Sequence, residues 1–224
     1  MSDPTGVLPT QALASSDAPW PDYVAQIEKH VAIQQERHFA ERFARAMELL
    51  GDEKAEVRWG GIFALERLGR RSPQEQSTVA EVLATYVRRR AHWNRAAPTS
   101  KIESEIQLIV TVLGRRHWPH RGEERPLDLH AVNLAKAHLP FVRLEAAFLY
   151  DCNFESALLV EAQLQGAWMS RSNLKNANLD GAHLEGTDFS DTSGLSGEQL
   201  RAAHWNEKTI FPAYLSLDMR PRRR

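Results

Sequence analysis

The chain has 224 residues, 42% of them apolar and 25% charged, with a formal net charge of −1 at pH 7 and a single cysteine. That is the composition of a soluble globular protein long enough for two domains, and one cysteine excludes an internal disulfide. No apolar run approaches the roughly 20 residues needed to cross a bilayer and no signal-peptide segment opens the chain, so a soluble, cytoplasmic protein is expected.

Residues 1–19, with Pro4, Pro9 and Pro19 among Ser, Thr, Asp and Ala, predict a disordered leader. From 20 to 120 the apolar residues recur at helical spacing. Ile27, Val31, Phe39, Phe43, Met47 and Leu50 mark a first amphipathic helix over 22–50, and Val57, Gly61, Ala64, Leu65 and Leu68 a second over 55–69. Two cleaner stripes follow, Val79, Val82, Leu83, Tyr86 and Val87, then Ile102, Ile106, Ile109, Val110 and Leu113. Ser72-Pro73-Gln74-Glu75 and the pair Ser100 and Glu103 have the spacing of capping boxes at the starts of the last two helices. Four helices joined by short turns predict a small α-solenoid. Arg70-Arg71, Arg88-Arg89-Arg90 and Arg115-Arg116 each fall at a helix end, where cations complement the dipole, which is preferred to a phosphate-binding surface. His117-Trp118-Pro119-His120 supplies two possible ligands, but no Cys or carboxylate cluster completes a tetrahedral site, so no metal is assigned.

A different order begins at Leu129. Every fifth residue is large and apolar for thirteen consecutive positions: Leu129, Leu134, Leu139, Leu144, Leu149, Phe154, Leu159, Leu164, Met169, Leu174, Leu179, Leu184 and Phe189. Five residues along an α-helix rotate a side chain by about 140°, which spreads these groups around the cylinder. On a strand an odd step alternates faces. A short period that fits neither element marks a solenoid, whose units turn the chain and stack on neighbours. Two residues before each large one stands a second inward position, mostly small, from Leu127 and Val132 to Ala182 and Thr187, with Cys152 among them as a buried, reduced thiol. The position between is often polar, as at Asp128, Asn133, Asn153, Asn173, Asn178 and Asp188.

Ala177-Asn178-Leu179 and Ala182-His183-Leu184 resemble the consensus of the pentapeptide-repeat family, and the resemblance runs through residues 127–191. It implies a right-handed quadrilateral parallel β-helix, one pentapeptide per side and four per coil, here just over three coils and about 15 Å long. The stretch from Asp52 to Gly69 is similar to the second helix of HEAT-type repeats, and the whole helical block resembles a domain found ahead of pentapeptide repeats in some bacterial proteins. Many of those relatives carry transmembrane helices upstream; this chain shows none. The expected fold is thus α and β in two domains: a HEAT-like helical domain over 20–120, the β-helix over 127–191, a C-terminal helical cap and tail over 192–217, and a basic tail over 218–224. The cap is expected from Ser196-Gly197-Glu198-Gln199, a short helix through Ala203, with Leu195, Leu200 and Trp205 covering the open end of the stack. Ile210, Phe211, Tyr214 and Leu215 are expected to pack along the rod, and Arg220, Arg222, Arg223 and Arg224 to form a solvated terminus.

Function falls to the outward positions. Residues twenty apart stack on one side, so side one presents Phe148, Tyr150 and Trp168 flanked by Asp128 and Asp188, and side three presents Phe141, Leu158 and Val160. These apolar groups call for a cover, either the chain's own tail or helical block, or another protein or a second copy. A filled β-helix is convex, and the chain has no phosphate loop, nucleophile elbow, dinucleotide fingerprint or paired metal ligands, so no enzyme, no cofactor and no small-molecule substrate are expected. The reading adopted is a protein-interaction scaffold, possible as a homodimer. The alternative comes from the family resemblance, some of whose members mimic DNA and act on DNA gyrase. Against it, residues 128–188 hold eight acids and four bases spread over several sides, a sparse charge beside duplex DNA at about one per 1.7 Å, and nucleic acid itself is not expected as a partner.

Overall fold

A computed structural model describes residues 20–96, 102–115 and 126–215. The expected leader 1–19, Ser100, Arg116, the His117-Trp118-Pro119-His120 run and the chain beyond 215, with Arg220 to Arg224, lie outside the described residues. Among the described residues there are four α-helices, α1 Trp20–Leu50, α2 Ala55–Arg71, α3 Gln76–Arg90 and α4 Ser104–Gly114. The chain divides into two compact units, Met1–Ala44 and Arg45–Arg224, and the division falls inside α1.

In the first unit Phe39 stacks on Phe43 at 5.5 Å and Arg37 pairs with Glu41 one turn on. Its apolar stripe is not a core stripe, since Ile27 and Val31 are each about half exposed. In the second unit the end of α1 is buried at Ala46 and Leu50. These meet α2 at Gly61, where an added Cβ would stand 2.6 Å from the Leu50 nitrogen and 2.9 Å from the Ala46 carbonyl. Only glycine lets the two backbones approach so closely.

Helices α2 to α4 bury Ile62, Leu65 and Leu68 against Val79, Leu83 and Val87 and against Ile106, Ile109 and Leu113. One charge is buried with them. Glu105 of α4 accepts hydrogen bonds from Arg58 of α2 at 2.6 Å, from the Tyr86 hydroxyl at 2.9 Å and from Arg90 at 3.1 Å, both of α3. Arg58 also donates to the carbonyls of Asp52 and Glu53 at the start of α2. Burial pushes the Glu105 carboxyl up, but the bonds from Arg58 and Tyr86 and the charges of Arg58 and Arg90 outweigh it and hold the group below the ordinary glutamate range. The Ser72–Glu75 capping box does not form, and the Ser100–Glu103 box involves a residue outside the described ones. Residues Pro73–Glu75 make a 3-10 turn, and the Glu75 N–H donates to the Ser72 carbonyl at 2.9 Å. Ser72 is already the C-cap of α2, so α3 starts only after that turn, with no side-chain cap. Glu103 caps α4, again without a side-chain bond.

From Asp128 onward each bridging residue pairs with the one twenty positions later, in four columns: Asp128–Phe148–Trp168–Asp188, Asn133–Asn153–Asn173–Ser193, His138–Leu158–Asn178 and Arg143–Gln163–His183. These are the four sides of a parallel β-helix. Each side contributes a single bridging residue and no extended strand, because a corner residue follows three positions later. The corner residue of every unit, from Ala131 to Asp191, has a positive φ between 53° and 72°. Where that unit's outward residue is Asn or Asp, it serves the corner. Asn133, Asn153, Asn173, Asn178 and Asp188 accept, through a side-chain oxygen, the N–H two residues on, at 2.8 to 3.2 Å, so the Asx turn selects Asn and Asp there. All thirteen large positions and their small partners are buried. Ser172 and Thr187 donate their hydroxyls, and Cys152 its thiol, to the carbonyl twenty-three residues back. Burial pushes the Cys152 thiol up to about 12.

The C-terminal segment departs from expectation. Residues 192–215 contain no helix. Ser196 and Gln199 do form the reciprocal box, with bonds of 2.8 and 3.4 Å, but around a turn. The segment instead adds a further coil to the three expected, since His204 bridges His183 and Ile210 bridges Asp188. These spacings are twenty-one and twenty-two, and the inserted residues break the period that revealed the earlier coils. Thr209 shows the shift directly, donating to the carbonyl of Leu184 twenty-five residues back. Gly194 takes the position a large residue would occupy, and Leu195 is buried in its place.

Two stability predictions follow from these contacts. Gly194 has φ +71° and an added Cβ would lie 2.6 Å from Lys175 Cα, whereas Gly166 has φ +67° and open space around it. Gly194→Ala should therefore cost at least about 2 kcal/mol and Gly166→Ala only about 1 kcal/mol in urea titrations. Glu105→Gln should cost about 2–4 kcal/mol at neutral pH. Because the native carboxyl titrates below its unfolded counterpart, its stabilisation is present above the ordinary glutamate range and lost as pH falls through the lowered native value. The acid limb of stability against pH should accordingly be shallower in the variant.

Candidate interaction surface

The first coil has no coil before it, so its outer edge needs other partners. They come from α3, α4 and the chain between. The Asn133 N–H donates to Ala91 O at 2.7 Å, Trp93 N to Ala131 O at 2.7 Å, and Arg143 N to Gly114 O at 2.9 Å. Gln107 of α4 binds the His138 backbone twice, accepting its N–H and donating to its carbonyl, both at 2.8 Å. Arg88 donates to the Asp128 carbonyl at 2.6 Å and pairs with its carboxylate at 3.1 Å. Arg95 reaches Asp151 at 2.6 Å and the Arg171 carbonyl. Arg88 and Arg90 do end α3, but each has a defined partner beyond the helix dipole. Neither these contacts nor the Glu105 cluster is readable from periodicity, because each joins residues far apart in the chain.

The six outward apolar residues fall into two groups that do not meet. On side one, Phe148 lies 5.4 Å from Trp168, edge to face, and 6.4 Å from Tyr150. Tyr150 stacks on His130 at 4.9 Å and lies under Arg171 at 5.8 Å. Burial, then the charges of Asp128 and Asp151, push its phenol up. Asp151 is held below the ordinary aspartate range, first by hydrogen bonding from Arg171, then by the charges of Arg171 and Arg95. Phe148 and Tyr150 are half-buried within the rod's own ladder, while Trp168 is 56% exposed. The two flanking acids differ. Asp128 is bound by Arg88 and by His130 at 2.6 Å, whereas Asp188 takes the Ser190 N–H at 2.8 Å and pairs with no Lys or Arg among the described residues. On side three, Leu158 and Val160 are half-buried and Phe141 sits on a corner with φ 58°, 64% exposed.

The other sides are polar. Side two carries an asparagine ladder in which Asn153 donates to Asn133 and Asn173 to Asn153, each at 3.0 Å. Side four pairs Arg143 with Glu145 and His183 with Glu185, and stacks His183 on His204 at 4.7 Å. The helical region holds a cleft of about 400 Å³ lined by Val79, Ala80, Leu83, Leu113 and the Glu66–Arg70 pair. Among the described residues no group of three His, Cys, Asp or Glu is placed to hold a metal, and no helix is long and apolar enough to cross a membrane.

Residues 141–176 and 157–193 match the family described as pentapeptide repeats, in eight copies. No curated protein sequence matches the chain. Among solved structures, a pentapeptide repeat protein from the thylakoid lumen of Arabidopsis thaliana aligns at 19% identity over 38% of this chain and 58% of its own, with a TM-score of 0.30. A pentapeptide repeat protein from the cyanobacterium Cyanothece aligns at 28% identity over 39% and 65%, with a TM-score of 0.24. HetL, a pentapeptide repeat protein involved in heterocyst differentiation regulation in Nostoc sp., aligns at 18% over 38% and 47%, with a TM-score of 0.15. This chain spans less than two thirds of the length of each. The five-residue period, the twenty-residue bridges and the family match agree that the chain carries pentapeptide repeats, preceded among the described residues by four α-helices.

Proposed function

We propose that the protein is a non-catalytic interaction scaffold whose rod recognises another protein through side one. The observation that carries this reading is Trp168: a large aromatic, more than half exposed, braced edge-on by Phe148 and standing on a backbone paired to the coils on either side. A rigid exposed indole gains contact area on binding with little loss of rotamer freedom, which is why Trp dominates binding hot spots. The filled interior leaves the coil no concave site for chemistry. The reading as a DNA mimic draws less support, since Asp128 and Asp151 are neutralised by Arg88, Arg95 and Arg171.

Trp168→Ala removes an exposed ring and should leave stability within about 1 kcal/mol, while Phe148→Ala, half-buried, should cost about 2 kcal/mol. In cross-linking capture with the full chain, Trp168→Ala should lower recovery of the specific partner at least tenfold at limiting concentration, as expected of a hot spot. Undiminished capture by a folded Trp168→Ala protein would remove side one as the recognition surface. Supercoiling by purified gyrase should be unaffected by the protein; inhibition would restore the DNA-mimic reading.

A further inference from the structure

Resting on that reading of side one, we infer the chemistry of the guest: a basic, apolar-flanked segment of a partner protein, one arginine or lysine of which lies over Trp168 and pairs with Asp188.

Three features of the surface point to it. The outward column of side one runs Phe148, Trp168, Asp188, Ile210 on successive rungs, spaced by about 4.8 Å. Trp168 and Ile210 are 56% and 52% exposed, so a carboxylate stands between two exposed apolar groups. Among the described residues no Lys or Arg compensates that carboxylate. Asp128 and the corner residue Asp151 are each taken by arginine, whereas Asp188 has no Lys or Arg pair among the described residues and is fixed in orientation by the Ser190 N–H at 2.8 Å. Finally, the column beside it holds Ser170 and Ser190 at the positions Tyr150 fills one coil lower. Two small side chains there leave the flank of the indole clear for a long side chain.

An indole face attracts a cation through its quadrupole, and the neighbouring carboxylate adds a hydrogen-bonding anchor. Arginine suits both at once, its planar guanidinium stacking on the ring while its N–H groups reach the carboxylate. The guest's apolar neighbours would cover Trp168 and Ile210 and exclude the water that otherwise screens an exposed pair. An acidic segment is repelled at Asp188, and an anionic lipid surface likewise.

The test uses the full chain and a fluorescein-labelled dodecapeptide of alternating Leu and Arg, followed by fluorescence anisotropy. Asp188→Asn keeps the side-chain oxygen that caps Ser190 and should stay folded by thermal melting; it should bind at least about fivefold more weakly and lose most of the salt dependence. Trp168→Ala should weaken binding at least about tenfold. Asp180→Asn, an exposed aspartate on side three, should bind as the wild type does, and a Leu–Glu peptide should not bind. Equal binding by Asp188→Asn, an equal loss in Asp180→Asn, or preference for the Leu–Glu peptide overturns the inference. Capture in the cross-linking assay separates the two levels. If Trp168→Ala loses its partner and Asp188→Asn keeps it, side one remains the recognition surface and the basic guest is wrong. If neither variant loses it, both readings fail.

Discussion

Each coil satisfies most of its backbone through the coils twenty residues away, so a short stack has two raw ends, and closing them is the constraint on which the rest of the molecule depends. An open coil edge is a row of unpaired N–H and C=O groups, costly if buried and a template for association if exposed. At the first coil the closure is made by helices. Gly114, the last residue of α4, comes so close that an added Cβ would stand 2.1 Å from Val142 Cγ2, and its carbonyl takes the Arg143 N–H. Gln107 fills the gap on side three with a side chain that both donates and accepts. At the other end Gln199 does the corresponding work, its amide donating to the carbonyls of Leu174 and Ala177 at 2.7 and 2.8 Å, while the Tyr214 hydroxyl binds the Leu195 backbone. A glutamine suits such a place because one planar amide offers a donor and an acceptor at the spacing of a missing peptide group. The helices α3 and α4 thus close the coil as well as packing on each other.

The coil was legible in the sequence because its core is built from contacts that repeat at a fixed interval. Leu129 to Phe189 announce themselves by period alone, and all are buried. The corners were not legible. Ten non-glycine residues, among them Phe141 and Glu161, hold a left-handed φ, a conformation that side-chain identity does not reveal. The stack imposes it, since most corner N–H groups find a carbonyl on the next coil, as Phe141 N does with Val160 O at 2.8 Å. The last coil hid behind its one- and two-residue insertions. In the helical region the stripes were readable, but Ile62 and Glu105 were not singled out. Glu105 is buried only because Arg58 and Arg90 arrive from two other helices, a coincidence of tertiary structure that no local pattern encodes.

The same split between local pattern and position in the stack governs the surface. Asp128 and Asp188 occupy equivalent places in their repeats, on the same side, each next to the aromatic ladder. In sequence they are interchangeable. In the structure Asp128 lies on the first coil, where Arg88 of α3 closes the edge and takes its charge. Asp188 lies three rungs on, beneath Ile210, and among the described residues no Lys or Arg pairs with it. Availability is therefore set by distance from the helical closure rather than by residue type. The aromatic ladder follows that gradient. Tyr150 is enclosed by His130 and Arg171, Phe148 is half covered, and Trp168 stands clear. Closing one end of the rod uses up the polar and aromatic groups nearest to it, and leaves the recognition surface toward the other end.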